Sequence, residues 1–177
     1  MCIRDRQSLA ALRHFDFNAA GAYAYEQAVE TIRQLQLPAF DVEQQFRRAV
    51  LNVLIRNQDD HVKNIAFLMN REGEWRLSPA FDVSYAYNPA GSWTQQHQMS
   101  LNGKRDHFEL DDLLQFGAFC GMKPAKARDI IEGIHEQVEN WMAHADRAGV
   151  PESLAARLHL AMRRDLVNRQ AGRVARR

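Results

Sequence analysis

Apolar residues recur every three or four positions through most of this chain and gather into a short continuous run only near its middle. Tyr25, Ala28, Val29, Ile32 and Leu35 share one face of a helix predicted over residues 22–35, and Pro38 stops it. Val42, Phe46, Ala49, Val50, Val53 and Leu54 form the stripe of a second helix. Asp41 is its expected N-cap, and Glu43, Gln44, Arg47 and Arg48 make its polar side. The period then changes. Ile65 to Met69 and Glu74 to Leu77 flank a turn containing Gly73, which predicts a β-hairpin. Ser84 to Gln98 is poor in aliphatics and is expected to be irregular. Helical spacing returns at Phe108 to Phe119, with Gly121 as the stop. A long helix is predicted from Pro124 to Gly149, along Ile130, Ile131, Ile134, Val138, Trp141, Met142 and Ala145. The last, opened by Pro151, carries Leu154, Leu158, Ala161 and Met162. Residues 1–6 show no period, so 1–14 is expected to be an irregular lead-in, as from a reading frame cut short.

The fold expected is therefore mainly α, of the α+β kind: a helical bundle with one small hairpin. At 177 residues, 46% hydrophobic and 25% charged, the chain is one domain that needs no disulfide or structural metal to hold a core. A formal charge of +1 provides no global field for nucleic acid or membrane, so any charge argument is local. Cys2 and Cys120 form no metal or redox spacing, which suits a reducing, cytoplasmic setting. No apolar run approaches the roughly 18 residues of a membrane span.

Arg56-Asn57-Gln58-Asp59-Asp60-His61-Val62-Lys63-Asn64 concentrates charge just before the predicted hairpin. Beyond the hairpin, Asp82 stands alone in the otherwise apolar Pro79-Ala80-Phe81-Asp82-Val83. Because a hairpin returns its two ends to one place, Asp59, Asn64 and Asp82 can meet there as hard oxygen ligands suited to magnesium. Magnesium with few protein ligands suggests nucleotide phosphates. Phosphoryl transfer needs one carboxylate at the attacking hydroxyl, one side-chain amide oxygen on a metal, and a second carboxylate bridging metal to phosphate. The spacing D-x-x-x-x-N, hairpin, Asp matches a protein-kinase catalytic loop and metal-binding Asp.

Asp59-Asp60-His61-Val62-Lys63-Asn64, Leu77-Ser78-Pro79-Ala80-Phe81-Asp82-Val83 and Gln98-Met99-Ser100-Leu101-Asn102-Gly103-Lys104-Arg105 resemble the C-terminal lobe of HipA-family serine/threonine kinases. The resemblance runs from about residue 15 to about 166 and leaves 167–177 as a basic tail. It implies a protein-kinase-like C-lobe that uses ATP and Mg2+. Asp59 would be the catalytic base, Asn64 a magnesium ligand, and Asp82 the metal- and nucleotide-binding acid. His61 and Lys63 would lie on the γ-phosphate side. It also implies a toxin of a type II toxin–antitoxin system with a HipB-like helix-turn-helix antitoxin. Operator DNA would be reached mainly through that antitoxin, and the protein substrate would be of the aminoacyl-tRNA synthetase kind. Asn57-Gln58 replaces the His-Arg of protein kinases at large, and Phe81-Asp82-Val83 replaces Asp-Phe-Gly. The Gly-rich loop and phosphate-binding Lys of an N-lobe are not in this sequence, so the chain alone is expected to bind ATP poorly.

Plainer readings stand beside these. His61 can be a turn histidine and Lys63 a solvated lysine. Asn102-Gly103 reads as a tight turn with Lys104-Arg105 at a solvated tip. The arginines from Arg163 onward read as a frayed, solvated end. Tyr85, Tyr87 and Trp93 favour a semi-ordered segment beside the active site over a loose loop. The functional rivals are an aminoglycoside-type small-molecule phosphotransferase and a non-catalytic, antitoxin-binding module.

Overall fold

A computed structural model describes residues 3–168. The elements run β1 (Ile3–Ser8), α1 (Leu9–Arg13), α2 (Tyr25–Gln34), α3 (Ala39–Ile55), β2 (Ala66–Asn70), β3 (Trp75–Leu77), α4 (Leu110–Phe119), α5 (Pro124–Glu139), α6 (Trp141–Arg147), α7 (Glu152–Ala161) and α8 (Asp165–Asn168). The architecture is α+β: helices packed around α3, with one small antiparallel sheet of order β1-β2-β3.

The predicted stripe of α3 becomes the centre of the core. Phe46, Ala49, Val50, Val53 and Leu54 are all fully buried and meet Tyr25, Val29 and Ile32 of α2, Leu113 and Phe116 of α4, and Ile131 of α5. The α4–α5 contact is close enough to require glycine. A Cβ on Gly117 would lie 2.7 Å from the Cβ of Ala127.

Three expectations change. The lead-in is not irregular, because Ile3–Ser8 pairs with β2 in antiparallel register, Gln7 opposite Phe67 and Ser8 opposite Ala66. Its Arg-Asp-Arg-Gln sequence hides the strand, since pairing at the sheet edge rests on backbone groups. Asp41 is not the N-cap; Pro38 holds that position. The Asp41 carboxylate is buried and accepts a hydrogen bond from the Leu77 N–H at 3.2 Å, tying α3 to β3. The long C-terminal helix breaks at Asn140 into α5 and α6. Its apolar repeat continues across the break because α6 serves another partner: the Trp141 indole N–H donates to the Ala155 carbonyl of α7 at 2.9 Å. Gly121, with φ of 80°, ends α4, and Pro124 opens α5, both as predicted. Among the described residues no helix is long and apolar enough to cross a membrane.

Candidate functional site

Arg56 ends α3 in left-handed backbone, φ 56°, and the chain leaves as the loop 57–64. The loop is short and internally braced. The Asn64 N–H donates to the His61 carbonyl at 2.9 Å, and the Asn64 side-chain Nδ2 donates to the Asp59 carbonyl at 2.9 Å. That second bond fixes the amide, leaving Oδ1 without a hydrogen bond among the described residues. After β3, the Ser78 N–H donates to the Ala66 carbonyl at 2.9 Å and closes the open end of the hairpin. The segment to Asp82 therefore returns beside the loop, where Asn57 Nδ2 donates to the Asp82 carbonyl at 3.2 Å. Asp82 holds a left-handed φ of 55°, a conformation costly for most residues other than glycine.

Asn64, Asp82 and His61 line one small cavity together with Asn57, Gln45, Asn52 and Arg48, with room on the order of a single water. Asn57 Oδ1, His61 Nδ1 and both amide atoms of Gln45 are buried there without partners. The Asp82 carboxylate is exposed and makes no hydrogen bond among the described residues. Asp59 reaches the group differently. Its side chain is 53% exposed, lies 4.0 Å from His61 Nε2, and contacts Asn64 through its backbone carbonyl. Lys63 lies apart from these, its ammonium 3.4 Å from the centre of the Phe17 ring. Arg6 of β1 covers the Phe81 ring at 4.3 Å, so the strand missed in the sequence braces the residue before Asp82.

Asp60, next to the exposed Asp59, is turned into the protein. Its Oδ2 accepts from the Tyr25 hydroxyl at 2.7 Å and from His97 Nδ1 at 2.7 Å, and Oδ1 accepts from the Gln98 N–H at 2.8 Å. Burial opposes its ionisation, but the His97 imidazole and the Tyr25 and Gln98 donors outweigh that and hold the carboxyl below the usual carboxylate range. The same burial, with the Asp60 charge beside it, pushes the Tyr25 hydroxyl well above its ordinary value. Asn52 Nδ2 donates to the Tyr25 oxygen at 2.9 Å, and Asn57 Nδ2 to Asn52 Oδ1 at 3.0 Å.

The irregular segment 84–98 is thus anchored at its end by His97 and Gln98, and near its start by the Ala86 N–H donating to the Arg56 carbonyl at 3.1 Å. Trp93 remains 54% exposed. The tip beyond it stays partly solvated, with the Lys104 side chain 41% exposed, but its cations have partners: Lys104 Nζ lies 2.7 Å from Asp112 and Arg105 Nε donates to the His97 carbonyl at 2.6 Å. Arg163 is not part of a frayed end. Its side chain is 9% exposed and ion-paired with Asp106 at 2.7 Å. Arg169, Arg173, Arg176 and Arg177 of the predicted tail lie outside the described residues.

Asp60, His97 and Arg163 were not singled out by spacing. The only cue was a charged residue beside Asp59 and a histidine next to the alternating Met99 and Leu101, both buried.

The donor set fits magnesium in kind. Asn64 and Asp82 line one cavity, and an amide oxygen, a carboxylate and the Asp59 carboxylate on the same loop are all hard oxygens of the kind magnesium takes. Among the described residues no group of three or more histidine, cysteine or acidic side chains is placed to hold a metal ion.

A sequence model described as the HipA-like C-terminal domain matches residues 4–142. No curated protein matches the chain. Among solved structures, the chain is similar to one from the Shewanella oneidensis MR-1 toxin–antitoxin system, a complex of HipA, HipB and its operator DNA. That likeness has a TM-score of 0.65 at 19% identity and covers 77% of this chain. The chain corresponds to 33% of the length of the solved one.

Proposed function

The chain belongs to the HipA-like C-terminal domain family, and we propose that it forms the catalytic-loop lobe of a serine/threonine protein kinase of the HipA toxin type. The observation that carries this reading is the shared cavity of Asn64 and Asp82, with the Asn64 amide holding the residue that bears the Asp59 carboxylate.

In this reading Asn64 Oδ1 and Asp82 would hold the divalent ion. When bound, Mg2+ neutralises the phosphate oxygens of ATP. Asp59, exposed and free of strong donors, accepts the proton of a serine or threonine hydroxyl. The hydroxyl oxygen forms its bond to the γ-phosphorus as the bridging oxygen leaves with ADP. His61, its Nε2 4.0 Å from Asp59, is proposed to lie on the γ-phosphate side. Lys63 is proposed to reach the phosphates only by leaving Phe17. ATP affinity is proposed to be low in this chain alone, which corresponds to a third of the solved HipA.

The HipB and operator DNA in that solved complex support a HipB-like antitoxin as partner, with DNA reached through it. An aminoacyl-tRNA synthetase remains the proposed substrate class, and the cytoplasm the proposed location, consistent with the free, buried Cys120.

The test is transfer of radiolabelled γ-phosphate by the intact gene product with Mg2+. Label entering protein, and lost in Asp59→Asn, supports the kinase. Label in a low-molecular-weight acceptor would favour the aminoglycoside-type reaction. No transfer, with antitoxin binding unchanged by Asp59→Asn, would favour a binding module.

A further inference from the structure

Arg163 lies beyond the stretch that matches the family, between α7 and α8, yet it reaches back to the start of the loop 57–64. Its backbone N–H donates to the Leu54 carbonyl at 2.8 Å and its Nη1 to the Val53 carbonyl at 2.7 Å. These belong to the last turn of α3, where carbonyls lack helical partners and a cation is favoured. Nη1 also lies 3.0 Å from His97 Nε2.

An arginine can only donate, so His97 Nε2 must accept. The imidazole proton is then on Nδ1, where it is donated to Asp60 Oδ2. Asp106 completes the row on the far side of Arg163 at 2.7 Å. The His97 ring, fully buried, is set edge-on against Phe108 at 5.3 Å, so it cannot turn freely. Both ends of the connection between α3 and the loop are thus held from one point: α3 by Arg163 directly, and Asp60 by Arg163 through His97.

We propose that Arg163 and His97 are a positioning pair that fixes the loop carrying Asp59 and Asn64, so that a segment outside the matched domain completes the site. Both are proposed to act through the loop and not on a reacting group. The proposal rests on the kinase reading for its significance but not for its geometry. It requires one tautomer at His97, with a donor at Nδ1 and an acceptor at Nε2. Glutamine offers the same pair of roles through Nε2 and Oε1, whereas leucine keeps only the bulk.

The experiment uses nitrogen NMR shifts of His97 and amide hydrogen exchange of the whole chain. The wild-type ring should carry its proton on Nδ1. Arg163→Met and His97→Leu should speed exchange at the Asn64 amide by about tenfold or more relative to amides of α5, while His97→Gln stays within about threefold of wild type. A proton on Nε2 would overturn the proposal. So would unchanged exchange at Asn64 in folded variants, or a uniform rise at all amides that glutamine does not reverse. If the leucine and methionine variants fail to fold, His97→Gln and the wild-type tautomer still decide it. Mn2+ binding, followed in the same samples, separates the two readings. A wild type that ignores Mn2+ but shows the predicted loop exchange counts against the kinase alone; Mn2+ affinity equal in wild type and the Leu variant counts against the positioning pair.

Discussion

The carboxylate of Asp60 and the imidazole of His97 meet at 2.7 Å in the interior, 37 residues apart in sequence. Asp59, one position earlier, points outward with no close donor. Adjacent aspartates on one short loop are therefore placed differently: Asp60 fastens the loop, and Asp59, the proposed base, stays open to solvent. Asp60→Ala should cost about 3–5 kcal/mol, because it strands the buried Tyr25 and His97 groups. Asp59→Ala should change stability by less than about 0.5 kcal/mol. Urea denaturation of both variants checks this, and equal midpoints would refute the division of roles.

Acid should unfold the chain sooner than an ordinary exposed set of carboxylates would. Asp60, Asp106 and Asp112 are all held below the usual carboxylate range against the opposing effect of burial, by His97, Arg163 and Lys104 with their accompanying donors. A carboxyl lowered in the folded state stabilises it above the unfolded pKa, near 4, and that contribution disappears as pH falls through the lowered value. The carboxyl contribution to the thermal midpoint should be lost steeply below about pH 4. Asp60→Asn should start lower and fall less steeply. A slope unchanged by that substitution would count against Asp60 being ionised.

Asp82 keeps a left-handed backbone that glycine would adopt without strain. Asp82→Gly should leave the fold equally stable or add up to about 1 kcal/mol, while removing the proposed metal ligand. Marked destabilisation, read by thermal unfolding, would mean that the carboxylate has a structural task.

Gly117→Ala would place a methyl 2.7 Å from the Cβ of Ala127, between two packed helices. A loss of about 1–3 kcal/mol is expected, restored in part by adding Ala127→Gly. Additive losses in the double variant would show that the two positions do not compete for the same space.

The parts legible in the sequence were those where one periodicity governs many residues. The α3 stripe, the hairpin and the stops at Gly121 and Pro124 follow from local rules. What escaped is decided by tertiary pairing. Nothing local in Ile3–Ser8 asks for a strand; β2 supplies that. Nothing within residues 141–145 shows that Trp141 turns to α7. The site divides in the same way. Asp59, Asn64 and Asp82 are marked by spacing around a hairpin, whereas Asp60, His97 and Arg163 are joined only by folding across three distant segments.

The most direct measurement of the central claim is residue-resolved broadening of amide signals as Mn2+ replaces Mg2+ in the chain. The account predicts selective broadening around Asn64 and Asp82, reversed by excess Mg2+ and lost in Asn64→Ala and in Asp82→Asn. Broadening centred elsewhere, or persisting in both variants, would contradict it.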